Sequence, residues 1–266
     1  IFGGTMLQVR NERGTLVYSK IKSKEASEKI VYNTLTVPVR ERFQLVLADG
    51  TKVFLNSGSE MRYPERFGKA RREVFLKGEA WFEVAKDSAR EFWVHAGAMD
   101  VKVLGTSFNV KAYERLETVA TTLVEGSVEV ACAGKSFQIV PGEQFVYDKN
   151  NRVMDVRMVD TESYVSWKDG YYKFRQTTLE EIMETLSVWY GLNVFYVNES
   201  AKQVEFTGKV RRYEDARMLL DKFEQTGDVV FDIKGNNVFI TIKQKKPFAR
   251  EWNSFLVKAR GMVWQS

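Results

Sequence analysis

The chain has 266 residues, 44% hydrophobic and 28% charged, enough apolar material to bury a real core in one large or two modest domains. No stretch approaches the roughly 18 apolar residues needed to span a bilayer, and no signal peptide is visible. The formal net charge of +5 sits in the tail: from Lys243 onward six basic residues (Lys243, Lys245, Lys246, Arg250, Lys258, Arg260) face one acid (Glu251), so the body is neutral and carries no basic stripe of the kind that nucleic-acid binding requires.

The first half reads as a run of hairpins. Residues 43–47 place Phe43, Leu45 and Leu47 on one face, turn through Asp49 and Gly50, and return through Val53 and Leu55. The same alternation predicts strands at 74–76, 80–84, 92–95, 100–103, 108–113, 119–123, 128–132, 137–140, 144–147 and 153–158. In GEAWFEV (78–84), Ala80, Phe82 and Val84 share one face while Trp81 and Glu83 share the other, the pattern of a half-buried strand with Glu79 and Glu83 in solvent. Gly105 interrupts the next apolar run, as a bulge or a close backbone approach does, before Phe108 and Val110 resume one face. Turn residues at Gly97, Glu125 with Gly126, Gly134, and Pro141 with Gly142 fit a sandwich, a roll or a solenoid-like stack of short antiparallel strands. Cys132 reads as a small buried hydrophobe and His95 as structural; with one of each, neither an internal disulfide nor a His/Cys metal site is expected.

After Trp167 the period changes. Leu179, Ile182, Met183, Leu186 and Tyr190 recur at helical spacing, with Thr178 and Glu181 as a capping box and Gly191 as the C-cap. A strand at 193–197, another at 204–210, a helix at about 213–224 with Ala216, Leu219, Leu220 and Phe223 inward, and two strands around Asn236 and Asn237 complete the order βαββαββ. Residues 248–264 then place Phe248, Trp252, Phe255, Leu256, Ala259, Met262 and Val263 on one helical face opposite Arg250, Lys258 and Arg260. Such a stripe docks on its own domain, or lies on an anionic membrane or in a partner's groove.

The wording of several segments resembles the FecR family of bacterial anti-sigma regulators. These are LADGTKVFLNSGSEMRYPERF (47–67), GEAWFEV (78–84), VLGTSFNVKAY (103–113), TTLVEGSVEV (121–130) and PGEQFVYD (141–148), in order, within a resemblance covering roughly residues 35–243. WKDGYYKF (167–174), TLEEIMETLSVWY (178–190) and FTGKV (206–210) resemble the short signalling fold of secretins and of the amino termini of TonB-dependent transducers. Departures are Val188, where the family has a basic residue that could belong to a partner-facing patch, Ala48 for a common proline and Arg40 for a frequent glycine.

The resemblance implies a mainly β domain at 35–160 and a small α+β domain at 161–245, flanked by a juxtamembrane segment at 1–34 and the basic tail at 246–266. It also implies a transmembrane helix and a sigma-binding cytoplasmic segment ahead of Ile1, placing this chain on the periplasmic face of the inner membrane. The implied partners are the N-terminal signalling domain of a TonB-dependent outer-membrane transducer and an extracytoplasmic-function (ECF) sigma factor; no cofactor and no nucleic acid are implied. For the transducer contact, the unpaired edge of 206–210 (Phe206, Gly208, Val210) and the aromatics Tyr171 and Tyr172, read as exposed, are the candidates.

Catalytic motifs are not apparent: no Gly-x-Ser-x-Gly, phosphate-binding glycine loop, His-x-x-x-His or Cys-x-x-Cys occurs. The alternative reading is a β-rich carbohydrate-binding or glycan-processing domain, with Trp81, Trp93 and Tyr113 as sugar platforms and an acidic pair such as Glu79 and Glu83.

Overall fold

The computed structural model describes residues 7–12, 15–20, 30–212, 215–225 and 228–243. The expected amphipathic stretch at 248–264 lies outside them. Fifteen strands join in one connected sheet. In chain order they are β1 (Leu7–Glu12), β2 (Thr15–Lys20), β3 (Tyr32–Thr36), β4 (Phe43–Val46), β5 (Lys52–Leu55), β6 (Glu60–Pro64), β7 (Arg72–Glu83), β8 (Phe92–Ala96), β9 (Met99–Val103), β10 (Ser107–Ala112), β11 (Thr118–Glu125), β12 (Val128–Cys132), β13 (Lys135–Ile139), β14 (Glu143–Asp148) and β15 (Val153–Met158).

The two strands predicted at 74–76 and 80–84 are one, β7, and that strand organises the architecture. Its first half pairs with β6 and β8, and its second half pairs with β5 and β10. Gly78, at φ +106°, turns the strand from one layer to the other without breaking the ladder. The sheet therefore curls on itself into a nearly closed, barrel-like form. Between the layers lies an apolar core in which Phe82 stacks on Phe108 at 5.2 Å and meets Phe92 edge-on at 6.2 Å. Cys132 belongs to that core.

A small α+β unit follows: α1 (Thr161–Val165), a 3₁₀ turn (Ser166–Asp169), β16 (Tyr171–Thr178), α2 (Leu179–Tyr190), β17 (Asn193–Tyr196), β18 (Glu205–Arg211), α3 (Ala216–Glu224), β19 (Val229–Lys234) and β20 (Asn237–Ile242). From β16 onward the order is the predicted βαββαββ. α2 begins where expected, because the Thr178 hydroxyl accepts from the Glu181 N–H at 3.3 Å, and ends at Gly191 in the left-handed conformation. β16 and β18 pair antiparallel, while β20 lies between a parallel β17 and an antiparallel β19. The apolar faces of the two longer helices give this unit its own core, since Ile182, Leu186, Leu219, Phe223, Val238 and Ile240 from α2, α3 and β20 are all buried together.

Candidate functional site

The face of the large sheet that period-two reading assigns to solvent is buried. Adjacent strands align Phe54, Trp81, Asn109, Thr122, Gln144 and Arg157 in one row across β5, β7, β10, β11, β14 and β15. Trp81, Asn109, Thr122 and Gln144 are all below 5% exposed, and Trp81 packs in the core of the α+β unit. The half-buried strand expected at 78–84 is thus corrected: the second unit covers its other face. The covered residues are polar because they bond one another. Gln144 Nε2 donates to the Thr122 hydroxyl at 2.9 Å, Arg157 Nη2 to Gln144 Oε1 at 3.1 Å, and Trp167 Nε1 crosses from the second unit to Asn109 Oδ1 at 3.2 Å.

Beside this row sits a carboxylate expected in solvent. Glu79 is buried and accepts from Asn56 Nδ2 at 2.7 Å and Asn109 Nδ2 at 2.9 Å. Its counter-charge comes from the second unit. Arg212, which follows β18, donates from Nη2 to Asn56 Oδ1 at 3.3 Å, with its guanidinium 3.8 Å above the Trp189 ring and 5.1 Å from that of Tyr172. Burial pulls the Arg212 pKa down, opposed by Tyr172 and the Glu79 carboxylate. Further contacts close the seam: the Ser57 hydroxyl donates to the Val188 carbonyl at 3.1 Å, and Arg42 reaches the Lys168 carbonyl. Val188 is buried against Tyr113 and Leu116, so it belongs to this seam and not to a partner-facing patch. Arg40 holds a left-handed φ of +70°, the conformation that favours glycine, and lies 5.9 Å over Tyr190.

Of the proposed contact residues, all five fall on the β16–β18 ribbon, where Tyr172 opposes Val210 and Gly208 opposes Phe174. Their side chains do not share one environment. Tyr172 is 3% exposed, which corrects its reading as a surface aromatic: its ring stacks on Phe174, and burial drives its hydroxyl pKa up. Phe206 is buried edge-on against Phe223 at 4.9 Å, and Val210 is half-buried on the same core. Tyr171 is the accessible aromatic, with its hydroxyl on Glu162 at 3.0 Å and Lys209 3.8 Å over its ring. Residues 206, 208 and 210 share a face by period two; on it Phe206 is buried, Val210 half-buried and Gly208 exposed, while Glu205, Thr207, Lys209 and Arg211 on the other face are all exposed.

Two family profiles match this chain, the one described as FecR protein over residues 33–129 and the one described as FecR, C-terminal over 171–240. Together they take in more than half of it. The chain belongs to the FecR family. Two crystal structures of a Parabacteroides distasonis ATCC 8503 protein, provisionally described as an anti-sigma factor, are similar at 27% identity and a TM-score of 0.72, covering 80% of this chain and 100% of that one. No curated protein matches.

FecR-family proteins are membrane-anchored regulators, and this member has, among its described residues, no helix long and apolar enough to cross a membrane. The seam joins the two matched regions, and part of it (Gln144, Arg157, Trp167) comes from residues between them that neither profile covers. The carbohydrate reading loses two of its three platforms, because Trp81 and Tyr113 are buried while Trp93 is half-buried, and the Glu79 carboxylate of its acidic pair is held by two asparagines. His95 is clamped between Asp100 at 2.7 Å and Glu73 at 3.3 Å and stacked on Phe75. Among the described residues no group of three His, Cys, Asp or Glu side chains is placed to hold a metal ion.

A cleft of about 320 Å³ remains in the seam between α2, β16 and the sheet, and its charges are cross-paired: Lys111 with Glu184 at 3.6 Å and Arg157 with Glu181 at 3.5 Å. Burial holds the Glu184 carboxyl above its ordinary 4.5, with Lys111 opposing. An acid whose folded pKa exceeds its unfolded one binds protons more readily when folded. Stability from this group is therefore full below pH 4.5 and falls as pH rises through the folded value. Glu184→Gln is expected to match the parent near pH 4 and to be the more stable of the two at pH 7 in urea unfolding. A less stable variant at pH 7 would show that the Lys111 pair outweighs desolvation.

Proposed function

We propose that this chain is the periplasmic sensor region of a transmembrane anti-sigma regulator, which binds the N-terminal signalling domain of a TonB-dependent outer-membrane transducer and so controls an ECF sigma factor. The observation that carries the reading is the state of β18. Among the described residues it is hydrogen-bonded to β16 alone, leaving its other edge as a template for strand addition. Family membership supplies the regulatory role, and the edge supplies a surface suited to another protein's backbone. Tyr171, Gly208 and the backbone of 206–210 form the contact, with Tyr172, Phe206 and Val210 supporting it from the core side. Arg212, the seam's cation, directly follows β18, so a partner strand on β18 pulls on a segment tied through Asn56 to the large sheet. The work is differential binding between signalling states, without covalent chemistry.

Titration calorimetry with the transducer's signalling domain tests this. Tyr171→Ala combined with Lys209→Glu is expected to weaken binding at least about tenfold with the melting temperature retained, the size of effect that loss of one anchoring contact produces. Amide exchange at 205–211 is expected to slow in the complex. Unchanged affinity together with unchanged exchange overturns the β18 assignment.

A further inference from the structure

The large sheet ends in a strand with one side unpaired. Among the described residues β15 is hydrogen-bonded to β14 alone, in a register that runs without a break from Val153 to Met158. It has no Pro, Lys or bulge to close its edge, and Val153 and Met158 are 56% and 71% exposed. The ladder fixes which backbone groups are open. The Val159 N–H donates to the Gly142 carbonyl at 2.9 Å, so by alternation Val153, Asp155 and Arg157 direct their backbone groups to β14, and those of Met154, Val156 and Met158 point outward.

The side chains of β15 are complementary to those of a second β15. Two copies laid antiparallel, edge to edge, exchange hydrogen bonds only where even-numbered residues meet even-numbered ones, because a slip of one residue sets outward groups against inward ones. Centring the pair on Val156 sets Met154 beside Met158 of the second copy and Asp155 beside its Arg157, each twice. Centring on Asp155 or on Arg157 sets like charges directly opposite. Both halves of the ion pair are available. Asp155 is exposed and makes no hydrogen bond or ion pair among the described residues. Arg157 uses Nε and Nη2 on Gln144 and Glu181, which leaves Nη1. On the other face Met154 and Val156 pack against the large core, and pairing continues that apolar strip into the second copy.

We propose that β15 joins two copies of this chain in an antiparallel, two-fold pairing centred on Val156, with two Asp155–Arg157 ion pairs on the seam side and Met154, Val156 and Met158 on the core side. The inference is independent of the transducer reading, since β15 and β18 lie in different sheets and either edge can fail without the other.

Sedimentation equilibrium of the full chain tests it, and dimer is expected to grow with concentration. Asp155→Arg, at an exposed position with no bond to lose, sets arginine against arginine and is expected to weaken the dimer at least about tenfold with the melting temperature retained. The register is read by cross-linking, for which the one native thiol, Cys132, is buried. Val156→Cys is expected to form an intermolecular disulfide on oxidation, since hydrogen-bonded partners stand about 5.5 Å apart at Cα, within disulfide reach. Amide exchange at 154, 156 and 158 is expected to slow as concentration rises, while that at 155 and 157, already bonded to β14, stays as it was. A chain that remains monomeric up to about 1 mM overturns the proposal. So does a dimer that Asp155→Arg leaves intact, which places the interface elsewhere. Cross-linking of Asp155→Cys in place of Val156→Cys overturns it as well, because the pair is then centred on another residue.

Discussion

Gly78→Ala is expected to cost about 2–5 kcal/mol, adding backbone strain to a clash that cannot relax. At φ +106° an L-residue is strained whatever the space around it. A Cβ there would also stand 2.5 Å from the Ser59 hydroxyl oxygen and 2.7 Å from the Ser59 Cα, so backbone as well as side chain must move. Ser59 cannot move freely. Its hydroxyl donates to the Glu79 carbonyl at 3.1 Å and accepts from the Glu79 N–H at 2.9 Å, while its carbonyl accepts from the Val37 N–H at 2.8 Å. Displacement would therefore disturb β7 at the residue whose carboxylate anchors the seam. Gly97→Ala is the control, because it shares the positive φ (+62°) but meets no atom within 4 Å. Urea unfolding should show Gly97→Ala losing about 1 kcal/mol, the strain alone. If Gly78→Ala loses no more than Gly97→Ala, the close approach to Ser59 is not a constraint.

What was legible in the sequence was local. Period two marked most strands, the Asp-Gly turn fixed the hairpin of β4 and β5, and Thr178 with Gly191 bounded α2. β1, β2, β3 and β6 fall outside the predicted strands, and α1 is too short to show a helical period. What escaped was the second covered face. Alternation reports that Trp81, Asn109, Thr122 and Gln144 differ from the core residues between them, and a polar row looks the same whether water or another polar row lies above it. The signal that could have found it is Trp81 itself, a large apolar residue on the side assigned to solvent. Tyr172 was misplaced for a related reason: two adjacent tyrosines on a strand must face opposite ways, so only one of the pair could be at the surface. The edge of β18, on which the proposed contact rests, is a property of topology, which outward side chains do not encode.

Arg72→Met is expected to cost about 3–5 kcal/mol in the otherwise intact protein, since it strands a buried carboxylate. Arg72 is 0% exposed at the start of β7, yet its guanidinium is engaged on every side. Nη1 donates to Asp49 Oδ2 and to the Ala85 carbonyl, each at 2.8 Å; Nη2 reaches the Arg90 carbonyl at 2.9 Å and that of Leu104 at 3.4 Å; Nε meets Arg90 again at 3.2 Å. Asp49, the aspartate of the hairpin turn, thus has a second role, and it holds the Thr51 N–H at 3.0 Å and hydroxyl at 2.8 Å besides. The planar fork matters as much as the charge, because one cation ties together the turn after β4, the connection from β7 to β8 and the end of β9. Arg72→Lys is accordingly expected to recover less than half of the loss, and Asp49→Asn to be milder than either, since the amide oxygen still accepts one bond. The double variant Arg72→Met with Asp49→Asn should lose less than the two single losses added, because the uncompensated charge is gone. Full additivity in that cycle, read from urea midpoints at constant slope, would mean that the pair is not an interacting unit and that β7 is held in place by its apolar neighbours alone.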